Sequence, residues 1–151
     1  MREISRKVKL AQTSVIKHLK ELERDGLIIK EKNGIYPAYK ANMQSDDFKL
    51  LKKQNVGWRM HKTGLISFLD DKIKPNCMVL FGSASRGEDA ETSDIDIFIQ
   101  AEETNLNLEK YERLLSRKIK LFFEAFPNKL SKELLNNIIN GNVIYGYLKV
   151  L

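Results

Sequence analysis

Two aspartates, Asp94 and Asp96, stand two residues apart in the otherwise apolar segment 93–100 (SDIDIFIQ). The alternating pattern predicts a strand, whose side chains point to opposite faces in turn, so both carboxylates lie on one side and the isoleucines on the other. Two negative charges that close repel, and the pKa of each rises unless a cation intervenes. Because Mg²⁺ and Mn²⁺ prefer oxygen ligands, the spacing predicts a site for one of these ions at Asp94 and Asp96.

A glycine-serine pair, Gly82 and Ser83, ends the apolar run of residues 77–81 (CMVLF). The run predicts a buried strand, and a glycine at its end lets the backbone approach a ligand closely. If Ser83 opens a helical turn, its hydroxyl and the nearby amide N–H groups can bind phosphate, and Arg86 adds a cation. A phosphate-binding corner beside a carboxylate pair predicts phosphoryl or nucleotidyl transfer. The alternative is an acidic loop with incidental charges on a half-exposed strand.

The whole segment 82–99 (GSASRGEDAETSDIDIFI) resembles the signature of the minimal nucleotidyltransferases in the DNA polymerase beta superfamily. That signature is Gly-Ser, a spacer of about ten residues and Asp-x-Asp in a strand. The resemblance implies that Gly82 and Ser83 hold the phosphates of a nucleoside triphosphate and that Asp94 and Asp96 bind Mg²⁺. It also implies a mixed sheet with helices, and transfer of a nucleoside monophosphate to an acceptor with release of pyrophosphate. In related minimal nucleotidyltransferases the acceptor can be a protein, notably a HEPN-type ribonuclease toxin.

One part of the family's pattern differs in this sequence. The family carries a third carboxylate on a later strand, in the pattern Arg-x-hydrophobic-Asp-hydrophobic, and the matching segment 116–123 (SRKIKLFF) has Lys120 there. An ammonium group does not bind a metal ion and is expected to pair with a neighbouring aspartate. A lysine in place of the third carboxylate should impair the transfer reaction more than nucleotide binding. Glu124 shares the face of Lys120 but lies ~13 Å along the strand at ~3.3 Å per residue, so we interpret it as a surface acid.

Charge and composition divide the chain into a basic front and an acidic middle. Residues 1–44 hold ten Lys or Arg and five Asp or Glu, a balance of 10 − 5 = +5, whereas residues 78–100 hold one Arg and five acids, 1 − 5 = −4. Such asymmetry predicts two units with different partners. No apolar run approaches the ~18–20 residues of a membrane span, so no membrane partner is expected. The single cysteine, Cys77, excludes an internal disulfide and a zinc cage, and favours a cytoplasmic, reducing compartment.

The basic front shows a helical pattern followed by a hairpin pattern. Residues 2–8 (REISRKV) and 9–26 (KLAQTSVIKHLKELERDG) predict two helices, the second with an apolar stripe that runs from Val15 to Leu22 and a stop at Gly26. Residues 27–42 (LIIKEKNGIYPAYKAN) then predict two strands around a tight Asn33–Gly34 turn. Helix, turn, helix and hairpin follow one another in the order of a winged helix-turn-helix.

This segment resembles the winged-helix DNA-binding family, so double-stranded DNA is an expected partner. The resemblance implies that the helix from about Ala11 to Asp25 enters the major groove, with base and phosphate contacts from Gln12, Thr13, Ser14, Lys17 and His18. Backbone phosphates could be touched by Lys30, Lys32 and Lys40 of the hairpin. The family has a further helix before residue 2, so either other residues, such as the helix after Asn42, complete the core or the start is truncated. The alternative is a packing or dimerisation module that touches no DNA.

The predicted fold class is α+β. Its domains are a winged helix-turn-helix over residues 1–44, a helical connector over 45–74 that begins at the Ser45 cap, and a nucleotidyltransferase domain over 75–151. Two functions follow: a Mg²⁺-dependent nucleotidyltransferase with an attached DNA-binding domain, or an antitoxin-like DNA-binding regulator. In the second, the nucleotidyltransferase domain binds nucleotide without catalysis. The acceptor and the identity of the triphosphate are left open.

Overall fold

The computed structural model describes residues 2–33 and 36–150, and the chain divides into two compact units, residues 1–49 and 50–151. The helices are α1 (Arg2–Val8), α2 (Gln12–Arg24), α3 (Asp46–Lys62), α4 (Leu65–Ile73), α5 (Gly82–Arg86), α6 (Glu109–Leu115) and α7 (Lys132–Ile139). The strands are β1 (Ile28–Asn33), β2 (Tyr36–Ala41), β3 (Cys77–Phe81), β4 (Ile95–Ile99), β5 (Ile119–Phe123) and β6 (Asn142–Gly146).

The first unit has the helix, helix and hairpin order that the sequence predicts. Helix α2 ends where the N–H of Leu27 reaches the carbonyl of Leu22 across Gly26, whose φ of +70° suits a glycine. Strands β1 and β2 pair antiparallel along their whole length. The predicted Asn33–Gly34 turn falls in part on Gly34, which lies outside the described residues. The winged helix-turn-helix prediction is therefore confirmed at the level of element order.

Helices α3 and α4 occupy most of the predicted connector. Ser45 caps α3 as expected, because its hydroxyl accepts the N–H of Phe48 at 3.3 Å. Gly57 lies inside an unbroken α3, whereas Gly64, at φ +79°, separates the two helices. The sequence places domain boundaries at residues 44 and 74, and the division into units falls between residues 49 and 50, inside α3. Later residues of this stretch, such as Met60, are buried in the core of the second unit.

The second unit is built on a four-stranded sheet in the order β5-β4-β3-β6. Strand β3 runs antiparallel to β4 and β6, whereas β4 and β5 are parallel, so the sheet is mixed as predicted. A parallel pair needs a crossover connection, and α6 supplies it. The predicted α+β fold with helices flanking a mixed sheet is thus confirmed.

The two faces of this sheet bury different apolar sets. The isoleucines of β4 share one cluster with residues of α3, α4 and α6. The smaller cluster on the other face joins Phe81 and Phe98 to Ile138 of α7. By alternation along β4, Asp96 belongs to the face of Phe98. Among the described residues, no helix combines the length and the apolar character that crossing a bilayer requires.

Candidate functional site

The end of β3 brings the glycine-serine corner against the second aspartate. The antiparallel register pairs Phe81 with Asp96, so the next residue, Gly82, begins α5 beside that carboxylate. Gly82 has φ +73°, and a Cβ built on it would lie 2.8 Å from Oδ2 of Asp96. Real Cβ atoms do not approach a neighbour that closely, and positive φ disfavours other residues. Position 82 therefore favours glycine, because another residue there would have to adopt the positive φ and displace the Asp96 carboxylate.

Both aspartates are within the electrostatic reach of one lysine. The ammonium Nζ of Lys120 lies 2.6 Å from Oδ2 of Asp94, and Lys120 is also the residue paired with Asp96 in the parallel register of β4 and β5. The hydrogen bond to Asp94 raises the pKa of Lys120 above its usual value, and the charge of Asp96 adds to this. The two carboxylates thus flank a single cation on the same side of the sheet, and Lys120 pairs with the neighbouring aspartate as the sequence predicts.

Burial raises the pKa of Asp96 above its ordinary value. The cation of Lys120 opposes the shift, and the nearby charge of Asp94 increases it. An ionised carboxylate in such a place is costly unless more positive charge is supplied. This is the electrostatic condition under which a divalent cation binds favourably.

The donor set at this place suits Mg²⁺ only in part. Among the described residues, no group of three or more His, Cys, Asp and Glu side chains is arranged to hold a metal ion. Mg²⁺ is commonly held by one or two carboxylates together with substrate phosphates and water, and Asp94 and Asp96 fit that pattern. Lys120 stands where the resemblance implies a third carboxylate, so water or the phosphates of a substrate would complete the coordination.

The other residues predicted for this site are Ser83, Arg86 and Glu124. Ser83 is the half-buried second residue of α5. Arg86 is exposed, and its Nε donates to Oε2 of Glu88 at 2.8 Å. Glu124 follows β5, is half-buried and accepts the N–H of Phe126 at 2.9 Å, and its interpretation as a surface acid stays a prediction. The nucleotide-binding roles of Gly82, Ser83 and Arg86 stay predictions.

A buried ion pair next to the site was not found from the sequence. Nη1 of Arg117 lies 2.7 Å from Oδ2 of Asp89, and the two side chains are 8% and 4% exposed. The ammonium of Lys52 lies 3.3 Å from the other oxygen of Asp89. Asp89 lies in the loop before β4 and Arg117 follows α6, so no periodic pattern connects them. The one available signal was Arg117, the arginine of the Arg-x-hydrophobic pattern.

The predicted DNA-contacting residues lie along α2. Gln12, Thr13, Lys17 and His18 are exposed and Ser14 is half-buried. Nδ1 of His18 lies 3.3 Å from Oε2 of Glu21, and the imidazole ring is exposed in this contact. In the hairpin, Lys30 is exposed and Lys40 forms an ion pair with Glu31. The side chain of Lys32 lies outside the described part of the chain.

Comparisons with known proteins match one family to residues of the second unit and another to residues of the first. Residues 64–148, more than half of the chain, match the family described as "Polymerase beta, Nucleotidyltransferase", and residues 1–29 match "Winged helix-turn-helix DNA-binding". A curated protein named "Putative protein adenylyltransferase", from Methanocaldococcus jannaschii, is 41% identical over 71 residues, which are 42% of this chain and 67% of that protein.

A solved structure also shows a likeness. A chain in the crystal structure of a toxin–antitoxin with AMP-PNP is 28% identical, over 55% of this chain and 71% of that chain, at a TM-score of 0.44.

Proposed function

The chain belongs to the polymerase beta nucleotidyltransferase family, and from that premise we propose that it transfers a nucleoside monophosphate from a nucleoside triphosphate to a protein, in a reaction that depends on Mg²⁺. The observation that carries this proposal is the approach of the Asp96 carboxylate to the Gly82 corner, where a Cβ would lie 2.8 Å from Oδ2. The acid that would bind the metal ion and the backbone that would hold the phosphates are therefore adjacent, as the proposed reaction requires.

Each part of the site has a role in this proposal. Asp94 and Asp96 would hold Mg²⁺, which when bound supplies the positive charge that neutralises the triphosphate. Gly82 and Ser83 would hold the phosphates through backbone N–H groups and a hydroxyl, and Arg86 would add charge. An acceptor hydroxyl oxygen then bonds to the α-phosphorus as the bond from that phosphorus to the pyrophosphate oxygen breaks. Pyrophosphate leaves, and the hydroxyl proton passes to water.

A protein acceptor is favoured by the 41% identical relative, whose name describes a protein adenylyltransferase. ATP is accordingly the triphosphate to test first. A HEPN-type toxin, which can be the acceptor in related minimal nucleotidyltransferases, is one protein acceptor to test under this proposal.

A second candidate function follows from Lys120. Its ammonium lies 2.6 Å from Asp94, where the family has a third carboxylate, and it competes with a metal ion for that acid. In this candidate the domain binds nucleotide without transferring it, and the chain acts as a DNA-binding regulator. The two candidates differ in turnover, and therefore in whether label is transferred from the α-phosphate.

Transfer is tested with ATP labelled at the α-phosphorus, Mg²⁺ and an extract of the source cells, with labelled protein resolved by electrophoresis. If the first candidate is correct, wild type transfers label and the double variant Asp94→Ala plus Asp96→Ala loses at least about a hundredfold, since both metal-binding groups are gone. Lys120→Asp restores the family's carboxylate and should increase the rate. Lys132→Asp, the same charge change at an exposed position of α7, is the control.

The outcomes separate the candidates. Label that survives in the double-alanine variant excludes this site as the place of catalysis. If the wild type transfers no label and only Lys120→Asp does, the enzyme candidate is rejected and the nucleotide-binding regulator is supported. Equal increases in Lys120→Asp and Lys132→Asp would mean that net charge, and not the third carboxylate, changed the rate.

We further propose that the first unit binds double-stranded DNA through α2. The support is the winged helix-turn-helix match over residues 1–29 and the exposure of Gln12, Thr13 and Lys17 on the helix that the resemblance places in the major groove.

A further inference from the structure

The loop that carries Asp94 is held by one guanidinium group. Nε of Arg117 donates to the carbonyl of Ser93 at 2.6 Å, and Nη2 donates to the carbonyl of Asp94 at 3.0 Å. Nη1 donates to Oδ2 of Asp89, in the same loop, at 2.7 Å. A guanidinium has five N–H donors in a rigid plane, and three nitrogens of this one are directed at a single loop.

The arginine is itself held in place. The side chain of Asp89 is 4% exposed, and its Oδ2 accepts a hydrogen bond from Arg117. The ammonium of Lys52 forms an ion pair with Oδ1 and donates to the backbone carbonyl of Asp89. Burying charged groups away from water is costly. This cost is compensated only when the ion pair has favourable geometry and additional hydrogen bonds. We call these three residues, Arg117, Asp89 and Lys52, the Arg117 clamp.

Asp94 needs such support because it precedes the strand. Strand β4 begins at Ile95, whose N–H bonds to the carbonyl of Lys118 at 2.8 Å, so the β-ladder reaches Ile95 and the carbonyl of Asp94 is bound by Arg117 instead. Asp96 lies inside the strand and is fixed by its neighbours on both sides. The two acids are therefore held by different means.

We propose that Arg117 is a positioning residue, which fixes the backbone of Asp94 so that its carboxylate stands beside that of Asp96 for a divalent cation. This inference rests on the proposed function of the two aspartates. Groups that orient metal ligands without touching the metal typically change metal affinity by about 10–100-fold when they are mutated.

The test uses the full chain and Mn²⁺ alone, without nucleotide. Arg117→Lys keeps the charge, but one ammonium does not reach three acceptors. The double variant Arg117→Met plus Asp89→Leu removes both members of the most buried pair, and Lys52 keeps the backbone carbonyl of position 89 as a partner. Arg59→Lys is the matched control, because Arg59 also donates to two backbone carbonyls, those of Leu114 and Leu115, at the end of α6. Three quantities are measured: Mn²⁺ affinity, thermal midpoint, and hydrogen exchange of the Ile95 amide in the metal-free protein.

We expect Arg117→Lys to bind Mn²⁺ about 10–100-fold more weakly and to exchange the Ile95 amide faster than wild type, while Arg59→Lys matches wild type in both. If the double variant is folded, it should show the larger loss; if it unfolds, Arg117→Lys decides. Clamp variants that bind Mn²⁺ within about twofold of wild type overturn the inference and leave the proposed function standing, provided that Asp94→Ala abolishes binding. If Asp94→Ala leaves Mn²⁺ affinity unchanged, both the inference about Arg117 and the proposed function are overturned.

Discussion

Lys120 and Asp96 show how single side chains set the charge of the site. Burial makes the ionised form of Asp96 costly, and Lys120 lowers that cost. Because the pKa of Asp96 is raised on folding, the folded chain holds the proton more tightly than the unfolded one. Its contribution to stability therefore falls as pH rises from the unfolded pKa through the folded one. A bound cation would relieve this cost, which links the electrostatics of the apo protein to metal binding.

The titration of Asp96 can be followed directly by NMR of its carboxyl carbon in metal-free protein. We expect a midpoint above the ~3.9 of an exposed aspartate. Lys120→Met removes the larger of the two cationic contributions that oppose the shift, the smaller being that of Arg117, so the midpoint should move to still higher pH. Lys118→Met is the control, because Lys118 pairs with Glu112 and not with Asp96. A midpoint that Lys120→Met leaves unchanged or lowers would contradict the electrostatic description of the site.

The passage from β3 into α5 is the element that joins the two halves of the site. The strand is buried along its whole length, the chain turns at Gly82 with positive φ, and the turn meets the carboxylate of the neighbouring strand. Anchoring continues at the far end of the helix, where Asn142 donates to the carbonyl of Ser85 at 2.9 Å. The geometry of the corner thus depends on β3, β4 and β6 together.

Gly82→Ala tests this corner. The substitution should cost about 1–2 kcal/mol of stability for the positive φ and should also displace the Asp96 carboxylate, which lowers Mn²⁺ affinity about tenfold or more. Gly64→Ala is the matched control, since Gly64 also has positive φ but open space around its Cβ position. It should lose similar stability and keep wild-type Mn²⁺ affinity, as titration calorimetry would show. Equal Mn²⁺ affinity in the two variants would exclude the close contact at Gly82.

Taken as a whole, the molecule has uneven charge. Its formal net charge is +6, and the first 44 residues alone hold ten basic and five acidic side chains. Basic segments attract nucleic acid by releasing counterions from phosphates, a term that weakens as salt rises. The charge distribution therefore supports the proposed contact between α2 and DNA, and gives it a measurable signature.

Binding of a DNA duplex should weaken as salt increases, and Lys17→Ala should reduce the slope of log affinity against log salt by about 1, the share of one phosphate contact. Lys132→Ala, which removes an exposed lysine of the second unit, should leave the slope unchanged. Electrophoretic shifts over a series of salt concentrations give both slopes. Absence of any shift at low salt would contradict DNA binding by the first unit.

Local patterns in the sequence were sufficient to predict most helices and strands and to identify Asp94 and Asp96 as a pair. Alternation along β4, the Gly-Ser stop after β3 and the Ser45 cap each depend on residues close together in the chain, so their structural consequences could be predicted without the fold. The mixed sheet and the pairing of Lys120 with an aspartate followed from the family resemblance and from charge, and both are confirmed.

Other features depend on distant residues that only folding brings together. Arg117 meets Asp89 across 28 positions of sequence and Lys52 reaches Asp89 across 37, and no periodicity records such pairs. The register that sets Asp96 against Gly82 likewise depends on how β3 and β4 align. A sequence pattern identifies which residues can bind a metal ion, whereas strand register and buried hydrogen bonds determine where their carboxylates stand.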